Sequence, residues 1–132
     1  MEMAVTFPGG KKVNAAYKGF VVETDQPKEE GGEGSAPEPY DLFLASIGTC
    51  AGVNVVYFCE KRGLDTAGIK MTLAFDRNET KHLVEAVRIH FDLPPGFPQK
   101  YKNTIIKTAG LCAVKRNIID PPEFIITAAI QE

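Results

Sequence analysis

The sequence predicts an α+β domain, and three observations support this fold class. Apolar and polar residues alternate in several short segments, which is typical of strands with one buried face. Residues 42–59 carry no charge, and an apolar segment of this length favours a long helix. Strands precede this helix, and a hairpin, a second helix and a strand follow it, which is the element order of an α+β fold.

Length and composition limit the classes of protein to which the chain can belong. With 132 residues, of which 44% are hydrophobic and 24% charged, the sequence predicts one globular domain over residues 1–132. A net charge of -2 offers no basic surface for phosphates, so nucleic acid is not an expected partner.

Three cysteines without a CxxC pair argue against a disulfide-stapled secreted protein and against a zinc site. No signal peptide is recognisable, so we expect a cytoplasmic protein with reduced thiols and no bound metal.

Three short strands and a long loop are predicted at the start of the chain. Strands at 5–7, 13–17 and 20–24 are separated by the glycine-containing turns that follow the first two. Residues 25–39 are rich in Gly, Glu and Pro and predict a surface loop. A loop of this length is either a mobile, solvated connection or a flap over a functional site.

The uncharged segment predicts a central helix. Its length is at the lower limit of a membrane span, but Ser46, Thr49 and Asn54 within it favour a buried core helix, so no membrane partner is expected. Gly63 is a natural end for this helix. A domain of this size can hardly cover such a helix on every side. A second copy could, so the sequence predicts a homodimer with the helix at or near the interface.

Five further elements are predicted from periodicity. In chain order they are a strand at 69–75, a strand at 87–93 that completes a hairpin, an amphipathic helix at 97–109, a short helix or turn at 112–118 and a final strand at 124–130.

The cysteines carry the most specific chemistry in the sequence. Cys50 and Cys59 lie nine residues apart on the predicted helix, which separates them by roughly 13 Å and turns them to opposite sides. A disulfide needs Cα atoms about 4.4–6.8 Å apart, so these two cannot bond within one helix. Cys112 lies on another element and is free to approach Cys50. Each cysteine could instead be an inert packing residue, and this is the interpretation we adopt for Cys59.

The residues around Cys50 resemble the OsmC/Ohr family. In that family a P-x-x-L-x-x-A-x-x-x-x-C segment opens the long central helix, and Pro39, Leu42, Ala45 and Cys50 fit this spacing. A second family cysteine follows an amphipathic helix, at the place where this chain has Cys112. The order of elements agrees as well, and the resemblance covers nearly the whole chain.

The resemblance implies an intertwined homodimer that reduces organic hydroperoxides in defence against oxidative stress. Cys50 would attack the peroxide and become a sulfenic acid, and Cys112 would resolve it to a disulfide. An external dithiol would then restore both thiols, so no bound cofactor is expected. An apolar hydroperoxide would contact the residues that we expect to bind substrate: Tyr40, Leu42, Phe43 and Ile47.

Two departures from the family pattern leave other functions open. Family peroxidases hold the thiolate with an arginine from the N-terminal strands, whereas this chain has no arginine before Arg62. They also use a glutamate ten residues before the first cysteine, and in this chain Tyr40 occupies that position. Cys112 should begin a short helix near Lys115 and Arg116, so the sequence predicts Cys112 as the more acidic thiol. The alternative function is binding of an apolar small molecule at the dimer interface without peroxidase activity. A further possibility is an interaction protein whose cysteines only pack.

Overall fold

The first part of the chain forms a three-stranded antiparallel sheet, as the sequence predicts. The computed structural model describes residues 1–132, and its first strands are β1 (Ala4–Gly9), β2 (Lys12–Tyr17) and β3 (Phe20–Thr24), paired in that order. Lys18 and Gly19 join β2 to β3 with φ angles of 51° and 82°. Two successive positive φ angles give a tight turn whose twist matches that of the paired strands.

The long loop after β3 is organised by one buried carboxylate. Asp25 is 1% exposed, and its side chain accepts hydrogen bonds from the Ser35 hydroxyl and from three backbone N–H groups, those of Gln26, Glu33 and Ser35. These bonds, with Ser35 foremost, lower the pKa of Asp25 to about 2. The loop is therefore internally hydrogen-bonded, in contrast to the mobile connection that its composition favours.

Helix α1 extends from Pro39 to Lys61 and contains the uncharged segment. Its length and its hydropathy of 1.8 suit a membrane span, but the core helix of a soluble protein passes the same test. One stripe of α1 is buried, consisting of Ile47, Gly48, Ala51, Val55, Phe58 and Cys59. The opposite face is also apolar but exposed within the chain, with Tyr57 at 57%. A helix expected to be buried on all sides is therefore covered on one side only.

The chain divides into two compact units, Met1–Ser46 and Ile47–Glu132, and the boundary falls within α1. In the second unit β4 (Lys70–Asn78) and β5 (Leu83–Asp92) form the predicted hairpin. Here α1 lies close to β4 at Gly48, where a Cβ atom would come within 3.2 Å of the Leu73 side chain. Glycine at this position permits the close approach of helix and sheet.

Two short helices complete the regular structure of the second unit. Helix α2 (Lys102–Ala109) begins later than the predicted 97–109, because Pro98 is extended and only a single 3-10 turn follows it. Helix α3 (Ala113–Ile119) agrees with the predicted short helix. The core joins α1 to α2 and consists of Ala51, Val55, Phe58, Cys59, Ile105 and Ala109.

The prediction of a final strand at 124–130 is wrong for this structure. The segment has no regular secondary structure, and its large apolar side chains are exposed, with Ile126 at 91%. Pro121 and Pro122 lack backbone N–H groups, and no strand of the chain pairs with the residues that follow them. An alternating, β-branched sequence does not by itself form a strand, because the backbone N–H and C=O groups of a strand also need a partner strand.

Candidate functional site

The structure brings Cys50 and Cys112 together. Cys50 is half-buried in the middle of α1, and Cys112 is the residue that caps the start of α3. The Cys112 thiol is close enough to the Cys50 sulfur to lower its pKa as a hydrogen-bond donor, and both cysteines are free thiols. Cys59 lies apart from this pair in the core, where it is 0% exposed. Cys50 and Cys112, and not Cys59, are therefore the pair of thiols that act on each other.

Backbone and side-chain hydrogen bonds fix the position of Cys112. Its sulfur accepts the backbone N–H of Lys115 at 3.4 Å, which is the capping bond of α3. Asn54, one turn after Cys50 on α1, donates from Nδ2 to the carbonyl oxygen of Leu111 at 3.0 Å. Helix α1 thus carries Cys50 and also holds the residue immediately before Cys112.

The first turn of α3 lowers the pKa of the Cys50 thiol. The backbone N–H of Val114 makes the largest contribution, and the Cys112 thiol makes the next. The backbone N–H of Ala113 and the positive charge of Arg116 act in the same direction, while burial opposes them. Donors and a nearby cation favour the thiolate over the thiol, so this environment suits a nucleophilic sulfur.

The pKa of the Cys112 thiol is raised instead, which corrects the prediction that Cys112 is the more acidic of the two. Burial raises the pKa of Cys112, which is 2% exposed, and the hydrogen bond with Cys50 raises it further, although the N–H of Lys115 opposes both. The sequence correctly places Cys112 at the start of a helix near cations. The donors of that helix, however, also point at Cys50, which is less buried.

An apolar groove of about 690 Å³ lies within the second unit, beside Cys112. Ile47 and Ala51 of α1 line it together with side chains of β5, α2 and α3, among them Val87, Ile89, Ile105 and Ile118. Cys112 belongs to this lining and Cys50 does not.

The four residues predicted to bind substrate fall in two different places. Ile47 lines the groove. The other three belong to the first turns of α1 in the first unit: Leu42 is half-buried, while Tyr40 and Phe43 are exposed and stack with ring centroids 5.6 Å apart. Substrate binding by all four stays a prediction.

Sequence analysis does not assign the roles of three contributors to the site. The backbone donors of α3 leave no signature in a sequence, because every residue except proline carries such a group. Arg116 is recognisable as a cation near Cys112, but its charge acts on Cys50. Asn54 is a polar residue in an apolar helix, and that isolation is the signal that could have indicated a specific hydrogen bond. No group of three or more His, Cys, Asp or Glu side chains is arranged to hold a metal ion.

Comparisons with known proteins agree with this fold. The family model for OsmC-like proteins matches residues 32–127. A solved structure from Psychrobacter arcticus 273-4, named for the osmotic stress and detoxification response, has a TM-score of 0.74 at 22% identity over 87% of this chain and 85% of that one.

Two further solved structures share the fold. The OsmC like protein from Mycoplasma pneumoniae has a TM-score of 0.69 at 13% identity, over 91% of this chain and 87% of that one. The organic hydroperoxide resistance protein OsmC from Legionella pneumophila has a TM-score of 0.54 at 20% identity, over 89% of each chain. No curated protein matches the sequence.

Proposed function

Because this chain belongs to the OsmC-like protein family, we propose that it reduces organic hydroperoxides through Cys50 and Cys112. One observation carries the proposal: the thiol with the lowered pKa, Cys50, is next to a second thiol, Cys112. The Legionella pneumophila protein of the same fold is named for organic hydroperoxide resistance, which supports this class of substrate.

The proposed reaction begins with the Cys50 thiolate. Its sulfur attacks one oxygen of the hydroperoxide, the O–O bond breaks, and the other oxygen leaves with the organic group and takes up a proton to give an alcohol. Cys50 is thereby oxidised to a sulfenic acid. The Cys112 sulfur then attacks the Cys50 sulfur, the Cys112 proton joins the departing hydroxyl as water, and a disulfide forms. A dithiol reductant restores both thiols in two exchange steps and is itself oxidised to a disulfide.

The opposite pKa directions of the two thiols suit these two roles. A lowered pKa increases the thiolate fraction of Cys50 at neutral pH, and the thiolate is the attacking species. A raised pKa keeps Cys112 protonated, so that it donates a hydrogen bond to the Cys50 thiolate and avoids placing a second negative charge beside it. We further propose a cytoplasmic location, since a cycle that consumes dithiols requires a reducing compartment.

The proposed assembly is a homodimer. The exposed face of α1, with Val53, Val56 and Tyr57, and the apolar tail at 124–130 leave apolar surface in contact with water. A second copy would cover such surface, and a dimer with twofold symmetry is the commonest arrangement. Sedimentation should give twice the chain mass, and Tyr57→Glu should give a monomer while Lys107→Glu, on an exposed part of α2, does not. A monomeric wild-type protein would contradict this assembly.

Peptide mapping under non-reducing conditions tests the proposed reaction. Reduced protein receives one equivalent of cumene hydroperoxide, and a matched sample receives hydrogen peroxide. We expect rapid formation of a Cys50–Cys112 linked peptide that is two hydrogens lighter than the separate peptides, and faster with the organic peroxide. Cys50→Ser should abolish the reaction, while Cys59→Ser should retain it. Unchanged thiols in the wild-type protein would refute the peroxidase function.

The groove favours a second candidate function, the binding of an apolar small molecule without turnover. Its mainly aliphatic lining and its volume are those of a site for a ligand of moderate size. Ile106 lines the groove and Leu111, also exposed, does not, so Ile106→Glu and Leu111→Glu form a matched pair. Stoichiometric binding of anilinonaphthalene sulfonate that only Ile106→Glu removes, together with inert thiols, would favour this second function.

A further inference from the structure

The groove beside Cys112 has cations as well as aliphatic side chains in its lining. Lys102, the first residue of α2, and Lys115, in α3, both line it. Neither of these lysines forms an ion pair, since Lys12 is the one lysine of the chain that does so, with Glu33. Two cations without an acidic partner therefore border an apolar volume of about 690 Å³.

The other two charged or titratable groups of the lining that face the groove beside Cys112 have polar partners outside it. Glu85 is the single carboxylate in the lining, and it accepts a hydrogen bond from the Asn78 amide. The ring of His90 lies 3.2 Å from the carboxylate of Asp92. Lysines thus outnumber carboxylates in the groove, and the lining presents a positive charge.

The ammonium group of Lys115 has a defined place at the wall of the groove. A Cβ atom added to Gly110 would lie 3.6 Å from the Lys115 Nζ atom, and Gly110 is itself part of the lining. The backbone N–H of Lys115 donates to the Cys112 sulfur at 3.4 Å, which fixes the start of the side chain. The charge of Lys115 therefore lies at the end of α2, beside a residue that has no side chain.

An aliphatic surface extends along α2 between the two lysines. Ile105, Ile106 and Ala109 recur at intervals of three and four residues, and all three line the groove. From residue 102 to residue 110 the helix rises by about 12 Å. Ile118 of α3 lines the groove as well, and both Ile106 and Ile118 are exposed. A ligand with an aliphatic chain would cover this surface and remove it from water.

We propose that the groove binds an anionic amphiphile, a molecule with an aliphatic chain and a terminal carboxylate, and that Lys115 pairs with the carboxylate. The aliphatic lining suits the chain, and the ammonium at the groove wall suits the anionic head group. The proposal rests on the second candidate function, whose ligand class it names, and not on the peroxidase function. Val53, Val56 and Tyr57, on the surface proposed for the dimer, do not line the groove.

Competition against a neutral fluorescent probe tests the ligand class on the wild-type protein. Bound N-phenyl-1-naphthylamine is displaced with decanoate, decanol or decyltrimethylammonium, which share one aliphatic chain and differ in the charge of the head group. We expect decanoate to bind most tightly and the cation most weakly, because the lining is positively charged. Water solvates a carboxylate better than a hydroxyl, so a purely apolar groove would prefer decanol to decanoate. That order would overturn the proposal.

Neutralisation of single lysines tests the assignment to Lys115. Lys115→Gln should weaken decanoate binding by about twofold to fivefold, the range of an exposed ion pair, and leave decanol binding unchanged. Lys107→Gln, at an exposed position of α2 outside the lining, is the matched control and should keep the wild-type affinity. An equal loss in Lys107→Gln, or a larger loss in Lys102→Gln, would overturn the assignment. If Lys115→Gln does not fold, Lys115→Met replaces it in the same comparison.

The competition experiment also separates this proposal from the function on which it rests. A probe that does not bind would reject the second candidate function together with the proposal. Bound probe that decanol displaces better than decanoate would retain the second candidate function and reject only the anionic ligand. Neither outcome depends on whether Cys50 and Cys112 react with peroxide.

Discussion

Helix α1 carries two cysteines in opposite environments. Cys50, in the middle of the helix, faces the first turn of α3, whose N–H groups lower its pKa. Cys59, toward the end of the same helix, is fully buried, and burial raises its pKa despite the positive charge of Arg62. The two residues have the same chemistry and belong to the same element. Their pKa values are shifted in opposite directions because different groups pack against the helix at each position.

The two cysteines also differ in the kind of interaction that surrounds them. Around Cys59, apolar side chains from α1 and α2 form the core, and Phe58 meets Tyr101 edge to face with ring centroids 5.5 Å apart. Around Cys50 the groups that act on the thiol are hydrogen-bond donors, chiefly the backbone N–H of Val114. We therefore expect substitutions near Cys59 to change the free energy of unfolding most, and substitutions near Cys50 to change thiol reactivity most.

The largest expected effect is that of Phe58→Ala. Phe58 is buried beside Cys59, so its truncation should lower the free energy of unfolding by about 3–5 kcal/mol. Chemical denaturation measures this loss, and alkylation with mass mapping should show Cys59 becoming reactive through more frequent opening. The pH midpoint of Cys50 alkylation should stay in place. An equal shift at Cys50 would show that the two environments are not independent.

The next effect is that of Asn54→Ala, which removes the hydrogen bond from α1 to the Leu111 carbonyl. We expect a loss of about 1 kcal/mol in the free energy of unfolding, typical of one hydrogen bond. The main consequence should be slower closure of the Cys50–Cys112 disulfide by a mild thiol oxidant, because Cys112 is then held less firmly. Val53→Ala, at the adjacent exposed position, is the control. Equal rates of disulfide closure in both variants would show that Asn54 does not position Cys112.

A smaller effect is expected from Cys112→Ala. The Cys112 thiol donates to Cys50, so its loss should raise the pKa of Cys50 and slow its alkylation at neutral pH. Cys112→Ser keeps a hydroxyl donor and should raise the pKa less. The alkylation profile of Cys50 in the two variants measures the difference. Identical profiles would mean that the backbone N–H groups of α3 act alone.

The smallest effect concerns how the loss of unfolding free energy in Cys59→Ala depends on pH. Because burial raises the pKa of Cys59 in the folded protein, the unfolded chain loses this proton first as pH rises above about 8.5. The contribution of the neutral Cys59 thiol to the free energy of unfolding is therefore complete below that pH and is lost as the pH rises further. Denaturation at pH 7 and pH 10 should show a smaller penalty for Cys59→Ala at the higher pH. A penalty that grows with pH would contradict the raised pKa.

Much of the fold is predictable from periodicity, since the three N-terminal strands, the central helix and the β4–β5 hairpin all form where alternation or an uncharged segment indicates them. The final strand at 124–130 does not form, because periodicity indicates which side chains favour a strand but supplies no backbone partner. The family motif likewise identifies Cys50 and Cys112 as a pair worth testing. It does not indicate which of the two is more acidic.

The sequence by itself determined the α+β class, the family and the identity of the two facing cysteines, because these depend on residue type, spacing and periodicity. Only the tertiary structure decided that the first N–H groups of α3 act on Cys50 while Lys115 lines the groove. The reason is physical: a pKa responds to burial, donors and charges within a few ångströms, and these neighbours come from residues far apart in the chain.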